Sequence, residues 1–127
     1  MAYKKLGLQA GSSAADAVEA VPSFKAFLGQ IVEFKENVTA MNDLEMGGVD
    51  GVAMDKVVAE YLIKKDGRDF VILSEGLAPE QYGIAFKKDN TELRDKVQNV
   101  LNEMAADGTV AKISTKWFGS DISVIGK

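Results

Sequence analysis

The sequence predicts an α/β sandwich with a mostly parallel central sheet, and three observations carry that expectation. Short apolar runs alternate with helical segments along the first three quarters of the chain, and each run stops at glycine, serine or aspartate. The last third then changes to amphipathic helices. Alternation of strands and helices implies parallel crossover units with helices on the faces of the sheet. At 127 residues one domain with one core is expected, because compact domains run to about 100 to 150 residues. With 46% hydrophobic and 27% charged residues the chain has the balance of a globular protein rather than a disordered one.

Each element has a local cause. Lys5 to Gln9 (KLGLQ) alternates as a strand, Ala10 to Ser13 turns, and AADAVEA is helical. Ser13, followed three residues later by Asp16, predicts a start resembling a capping box. Pro22 with Ser23 breaks or re-caps the helix before FKAFLG. Gln30 to Phe34 (QIVEF) reads as the second strand. From Asn37, the residues Val38, Ala40, Met41 and Leu44 share one helical face, which Gly47 and Gly48 close. Val49 to Met54 (VDGVAM) is the third strand, and Asp55 opens a helix with Val57, Val58, Tyr61 and Leu62 on one face, ending near Gly67.

Further along, Phe70 to Leu73 (FVIL) predicts a fourth strand and Tyr82 to Phe86 (YGIAF) a short one. Asn90 caps a long helix with Leu93, Val97, Val100, Leu101 and Met104 at helical spacing, closed by Asp107 and Gly108. A second helix starts at Thr109 with Val110, Ile113 and Trp117. The expected organisation is an α/β lobe over residues 4–74, a hinge over 75–81 containing Gly76 and Pro79, and a C-terminal return strand with helices over 82–127.

Composition removes several function classes. The net charge of −4 comes from interspersed acids and bases, with no basic run to track a phosphate backbone, so nucleic acid is not an expected partner. There is no cysteine and no histidine, which removes disulfides, thiolate chemistry, the commonest metal ligand and the commonest general base. No cofactor or metal site is expected. No window reaches the ~18 to 20 apolar residues of a membrane-spanning helix, and Met1 to Gln9 is too short and polar for a signal peptide.

In an open parallel sheet, ligands bind beyond the carboxyl ends of the strands. Two turns there carry polar chemistry. At Gly11, Ser12 and Ser13 a glycine permits close backbone approach while amides and hydroxyls converge at a helix start, a place for a carboxylate or phosphate. At Met54 and Asp55 a carboxylate stands at the end of the third strand and can hold an ammonium group. Both turns equally suit plain helix capping. Together they supply an anion site and a cation site, the pattern an α-amino acid zwitterion requires.

At these residues the sequence resembles a known family. LGLQAGSSAADAVE is similar to the first strand and helix of the second lobe of family 3 solute-binding proteins, and DLEMGGVDGVAMDKVVAEYLI to its third crossover unit. EGLAPEQYGIAFKKDNTELRDKVQNVLNEMAADGTVAKISTKWFG is similar to the family's C-terminal passage. The resemblance spans Lys4 to Gly119 and implies a flavodoxin-like three-layer sandwich, one lobe of a type II periplasmic-binding-protein fold, followed by C-terminal helices. It implies an amino-acid-binding component of an ABC importer, periplasmic or extracellular and membrane-associated in the parent protein, whose partners are a polar amino acid and an ABC permease. Asp55 matches the aspartate that pairs with the ligand ammonium. Ser12 and Ser13 match the turn that holds the α-carboxylate, and Gly11 matches the glycine that admits the ligand. Gln9 and Ala10 fall where the family varies its side-chain contacts. Gly51 and Met54 depart from the family's usual residues beside Asp55.

The family's first lobe, with its arginine clamp and aromatic wall, has no counterpart here, so the chain is expected to be a truncated or engineered half that binds ligand weakly alone. Two arrangements can cover the apolar face of the C-terminal helices, a fold-back onto their own sheet or exchange with a second chain through residues 74–81, and the exchanged homodimer is the expected assembly. Three alternatives share the layering. A receiver domain places its phosphoacceptor where Asp55 stands, but it needs an acidic pair where Gln9, Ala10 and Gly11 are found. A dehydratase-like enzyme needs a facing acid or base, for which Glu75, Glu80 and Lys56 are the candidates, and each reads more simply as a solvated residue. A receptor's ligand-sensing domain is chemically the same module.

Overall fold

A computed structural model describes residues 3–127. The chain divides into two compact units, Met1–Pro79 and Glu80–Lys127. In the first unit the order is β1 (Lys4–Gln9), α1 (Ser13–Glu19), α2 (Pro22–Phe27), β2 (Leu28–Phe34), α3 (Asn37–Glu45), β3 (Gly51–Ala53) and α4 (Lys56–Asp66). The second unit holds α5 (Thr91–Ala106) and α6 (Thr109–Phe118).

The sheet has three parallel strands in the order β2-β1-β3. Strand periodicity of two gives β1 its faces. Leu6 and Leu8 are buried with Val18 of α1, and Ala15, Phe24, Leu28, Ile31, Ala53 and Leu77 pack around them. Gly7 faces the other way. A Cβ there would meet the Phe34 ring at 3.0 Å and Val49 at 3.3 Å, so glycine lets that second layer close on the strand. Because β2 and β3 flank β1 on opposite sides, right-handed crossovers send α1 and α2 to one face and α3 to the other. The buried Ala40 and Met41 of α3 belong to that second layer.

Local signals place the helix ends. Pro22 stands at the first position of α2, where its missing N–H costs nothing. The α3 terminus is a Schellman turn: Gly48 N–H donates to the Asp43 carbonyl at 2.8 Å and Gly47 N–H to that of Leu44 at 3.1 Å, with Gly47 at φ +78. The Asn90 side chain accepts the Leu93 amide at 3.3 Å and so caps α5. At the edge of the sheet remote from the strand carboxyl ends, Asp50 ties β3 to β1 by accepting the Lys5 amide at 2.8 Å and the Lys4 ammonium at 3.1 Å. The Lys5 amide, and after it Lys4, holds that carboxyl below its ordinary 3.8.

Five expectations are corrected. Phe70 to Leu73 and Tyr82 to Phe86 form no strand. A strand exists only through its ladder, and these runs join none, with Val71 85% and Tyr82 67% exposed. The third strand is Gly51–Ala53 rather than 49–54, and the second begins at Leu28 rather than Gln30. The cap of α1 is Ser12, not Ser13, because the helix begins one residue earlier and the Ser12 side chain accepts the Ala15 amide.

Candidate functional site

The strand order reverses direction at β1, so the two crossovers diverge and leave a crevice beyond the carboxyl ends of β1 and β3. The register pairs Leu8 with Ala53, which brings the turn after Gln9 and the turn before α4 side by side.

On the β1 side the ladder continues one residue past the strand, the Ala10 amide donating to the Phe34 carbonyl at 2.9 Å. Gly11 then adopts φ +66, with nothing within 4 Å of where a Cβ would stand. The turn needs glycine for its left-handed backbone, not for close packing. Ser12 knits the turn by donating its hydroxyl to the Gln9 carbonyl at 2.7 Å. Ser12 also takes up the start of α1, its carbonyl accepting the Ala15 amide at 3.0 Å and the Asp16 amide at 3.3 Å, and its hydroxyl the Ala15 amide at 3.4 Å.

On the β3 side Asp55 occupies the N-cap position of α4, yet its side chain makes no capping hydrogen bond. Its Oδ1 accepts the Ser13 hydroxyl at 3.1 Å. This contact joins the two turns directly across the crevice. Asp55 is half-buried and Ser13 exposed, so a carboxylate, a hydroxyl and a helix start share one open edge. Such a set can pair with an ammonium and an adjacent carboxylate.

The candidate residues separate into two groups. Gly11, Ser12, Ser13 and Asp55 gather at the crevice. Gln9 instead anchors toward β2, its side-chain amide donating to the Lys35 carbonyl at 2.9 Å, and Ala10 is tied to the same strand. Sequence reading missed that Lys35 contact, since no residue pattern advertises a backbone carbonyl as a partner. Two surface depressions lie in the second unit, one beside Lys112 and Lys116 of α6 and one of about 210 Å³ ahead of α5 between Ile84 and Arg94.

Comparison with known proteins bears on this edge. The sequence profile of the bacterial extracellular solute-binding proteins, family 3, matches residues 10–120. The L-cystine-binding protein TcyJ of Escherichia coli (strain K12) is 31% identical over 90 residues, which cover 71% of this chain and 34% of that protein. The L-cystine-binding protein TcyA of Bacillus subtilis (strain 168) is 38% identical over 85 residues, covering 66% of this chain and 32% of that protein. Among solved structures, an ancestral arginine-binding protein bound to arginine superposes with a TM-score of 0.68 at 37% identity, covering 92% of this chain and 51% of that one. The chain therefore spans about a third of the length of these curated relatives and about half of the solved structure.

Proposed function

The chain belongs to family 3 of the bacterial extracellular solute-binding proteins, and from that premise we propose that it forms the second lobe of a polar amino-acid receptor serving an ABC importer, outside the cytoplasmic membrane. The observation that carries the reading is the Ser13–Asp55 contact at 3.1 Å. It brings the carboxylate assigned to the ligand ammonium against the turn assigned to the ligand carboxylate. Gly11 and Ser12 shape that turn, while Gln9 and Ala10 border it toward β2. The reading favours a lobe of 4–74, a hinge over 75–81 and a C-terminal segment over 82–127.

In this function no bond is made or broken. Ligand contacts from two lobes favour a closed state over an open one, and the contacts made here supply one side of that difference. A dehydratase-like activity is not favoured, since relatives are named as binding proteins and Glu75 and Glu80 are exposed residues outside any helix or strand.

Isothermal titration with a panel of amino acids tests the proposal. The chain alone is expected to bind no better than millimolar, and the chain mixed with a separately made first lobe of a family member to bind at least tenfold tighter, about 1.4 kcal/mol. Equal affinity with and without the first lobe overturns the reading.

One further feature favours self-association when the chain is alone. Leu93, Val100, Ile113 and Trp117 are 46 to 52% exposed on α5 and α6, an amount of apolar surface that a solitary chain seldom leaves to water. A homodimer covers it, formed by exchange of the C-terminal helices through the irregular stretch 74–81, exposed except at Leu77. Light scattering at micromolar concentration should then give twice 13.7 kDa. A monomer mass alone rejects the dimer.

A further inference from the structure

Among the described residues a single polar side chain, Ser114 of α6, is buried, with 6% of its surface exposed. Its hydroxyl is fully used by the segment that follows the helix. It donates to the Ser120 carbonyl at 3.0 Å and accepts the Ile122 amide at 2.9 Å. One side chain thereby does for a short extended stretch what a neighbouring strand would do, satisfying a donor and an acceptor of its backbone.

The rest of the segment is closed on itself. Gly119 ends α6 at φ +86 and turns the chain back. Asp121 accepts the Ser123 hydroxyl at 2.7 Å, the Ser123 amide at 3.0 Å and the Lys127 ammonium at 2.9 Å. Lys127 donates again to the Ser123 carbonyl at 2.8 Å. The Ser123 hydroxyl, and after it Lys127, holds the Asp121 carboxyl down at about 2, so the clasp is ionised at neutral pH. Near its end the segment passes the last turn of α5, where a Cβ on Gly126 would stand 3.3 Å from that of Ala105. The segment therefore bonds to α6 through Ser114 and passes beside α5 at Ala105.

That bridging adds to a hairpin of two helices, α5 and α6, that pack on each other through only half-buried side chains such as Leu101, Met104 and Val110. Helix α5 contains no buried residue and α6 only Ser114, and in proteins most helical stability comes from tertiary packing rather than from the helix itself. We infer that residues 119–127 are a strap that fastens α6 to α5, pinned at Ser114 and clasped on itself by Asp121 and Lys127, and that the hairpin is ordered only while the strap is closed. Ser114 is a positioning residue in this device, not a ligand contact.

Hydrogen exchange on the full chain and three variants tests it. A chain stopped after Gly119 is expected to exchange its α5 and α6 amides about tenfold faster or more, while β1 and β2 stay protected. Ser114→Ala leaves the Ile122 amide and Ser120 carbonyl unpaired and should accelerate the same helices. Asp121→Asn opens the clasp without shortening the chain and should accelerate exchange at Ile122 and Ser123. Unchanged α5 and α6 protection in the shortened chain overturns the strap. Should that chain fail to accumulate, unchanged exchange in both full-length variants overturns it as well.

Discussion

Asp55→Ala is expected to weaken amino-acid binding by the reassembled two-lobe protein by ~2 to 5 kcal/mol, enough to remove it from a micromolar titration, because a desolvated ammonium would lose its charged partner. The structure makes this a sharp test. As a pure helix cap, Asp55 would place its side chain on the first amides of α4. It makes no such bond and accepts the Ser13 hydroxyl instead. Replacement should therefore leave the unfolding midpoint within about 0.5 kcal/mol of the parent, as for other partly exposed positions, while affinity collapses. Unchanged affinity, read by titration calorimetry, would reduce Asp55 to a structural link between two turns.

Leu8→Ala should act in the opposite sense, on the fold rather than the ligand. Leu8 is 2% exposed at the centre of the cluster that β1 forms with Val18. Truncating a buried leucine removes its transfer energy and leaves a cavity, typically ~2 to 5 kcal/mol, a large share of the ~5 to 15 kcal/mol that holds a domain together. Urea unfolding followed by circular dichroism would read the loss. Leu73, in the unpaired stretch after α4, is 71% exposed, and its replacement by alanine should cost no more than about 0.5 kcal/mol. Equal effects at the two positions would mean that the β1 layer is not the core.

The contrast between Leu8 and Leu73 also marks the boundary of what local pattern conveys. Both sit in apolar runs bounded by turn residues, and both runs read as strands. Only the first became one. Pattern determined the elements whose causes lie within a few residues: β1 and its glycine turn, α3 with its paired glycines, α5 from its asparagine cap, and α6 after Gly108. It likewise placed Gly11, Ser12, Ser13 and Asp55 after the ends of their strands, because a capping residue, a left-handed glycine and a strand end are encoded side by side.

Tertiary structure decided whatever depends on a distant partner. Residues 70–73 and 82–86 have strand composition but no neighbour to complete a ladder, so they form no strand and are exposed apart from the half-buried Phe70 and Phe86. The Ser13–Asp55 bond spans 42 residues and the Gln9–Lys35 bond 26. Each exists because the order β2-β1-β3 sets those strand ends abreast, and strand order is a property of the packed layers that no single segment carries. The role of Ser114 was hidden for the same reason. Within α6 it is one polar residue among several, and only the returning chain at Ser120 and Ile122 shows what its hydroxyl holds.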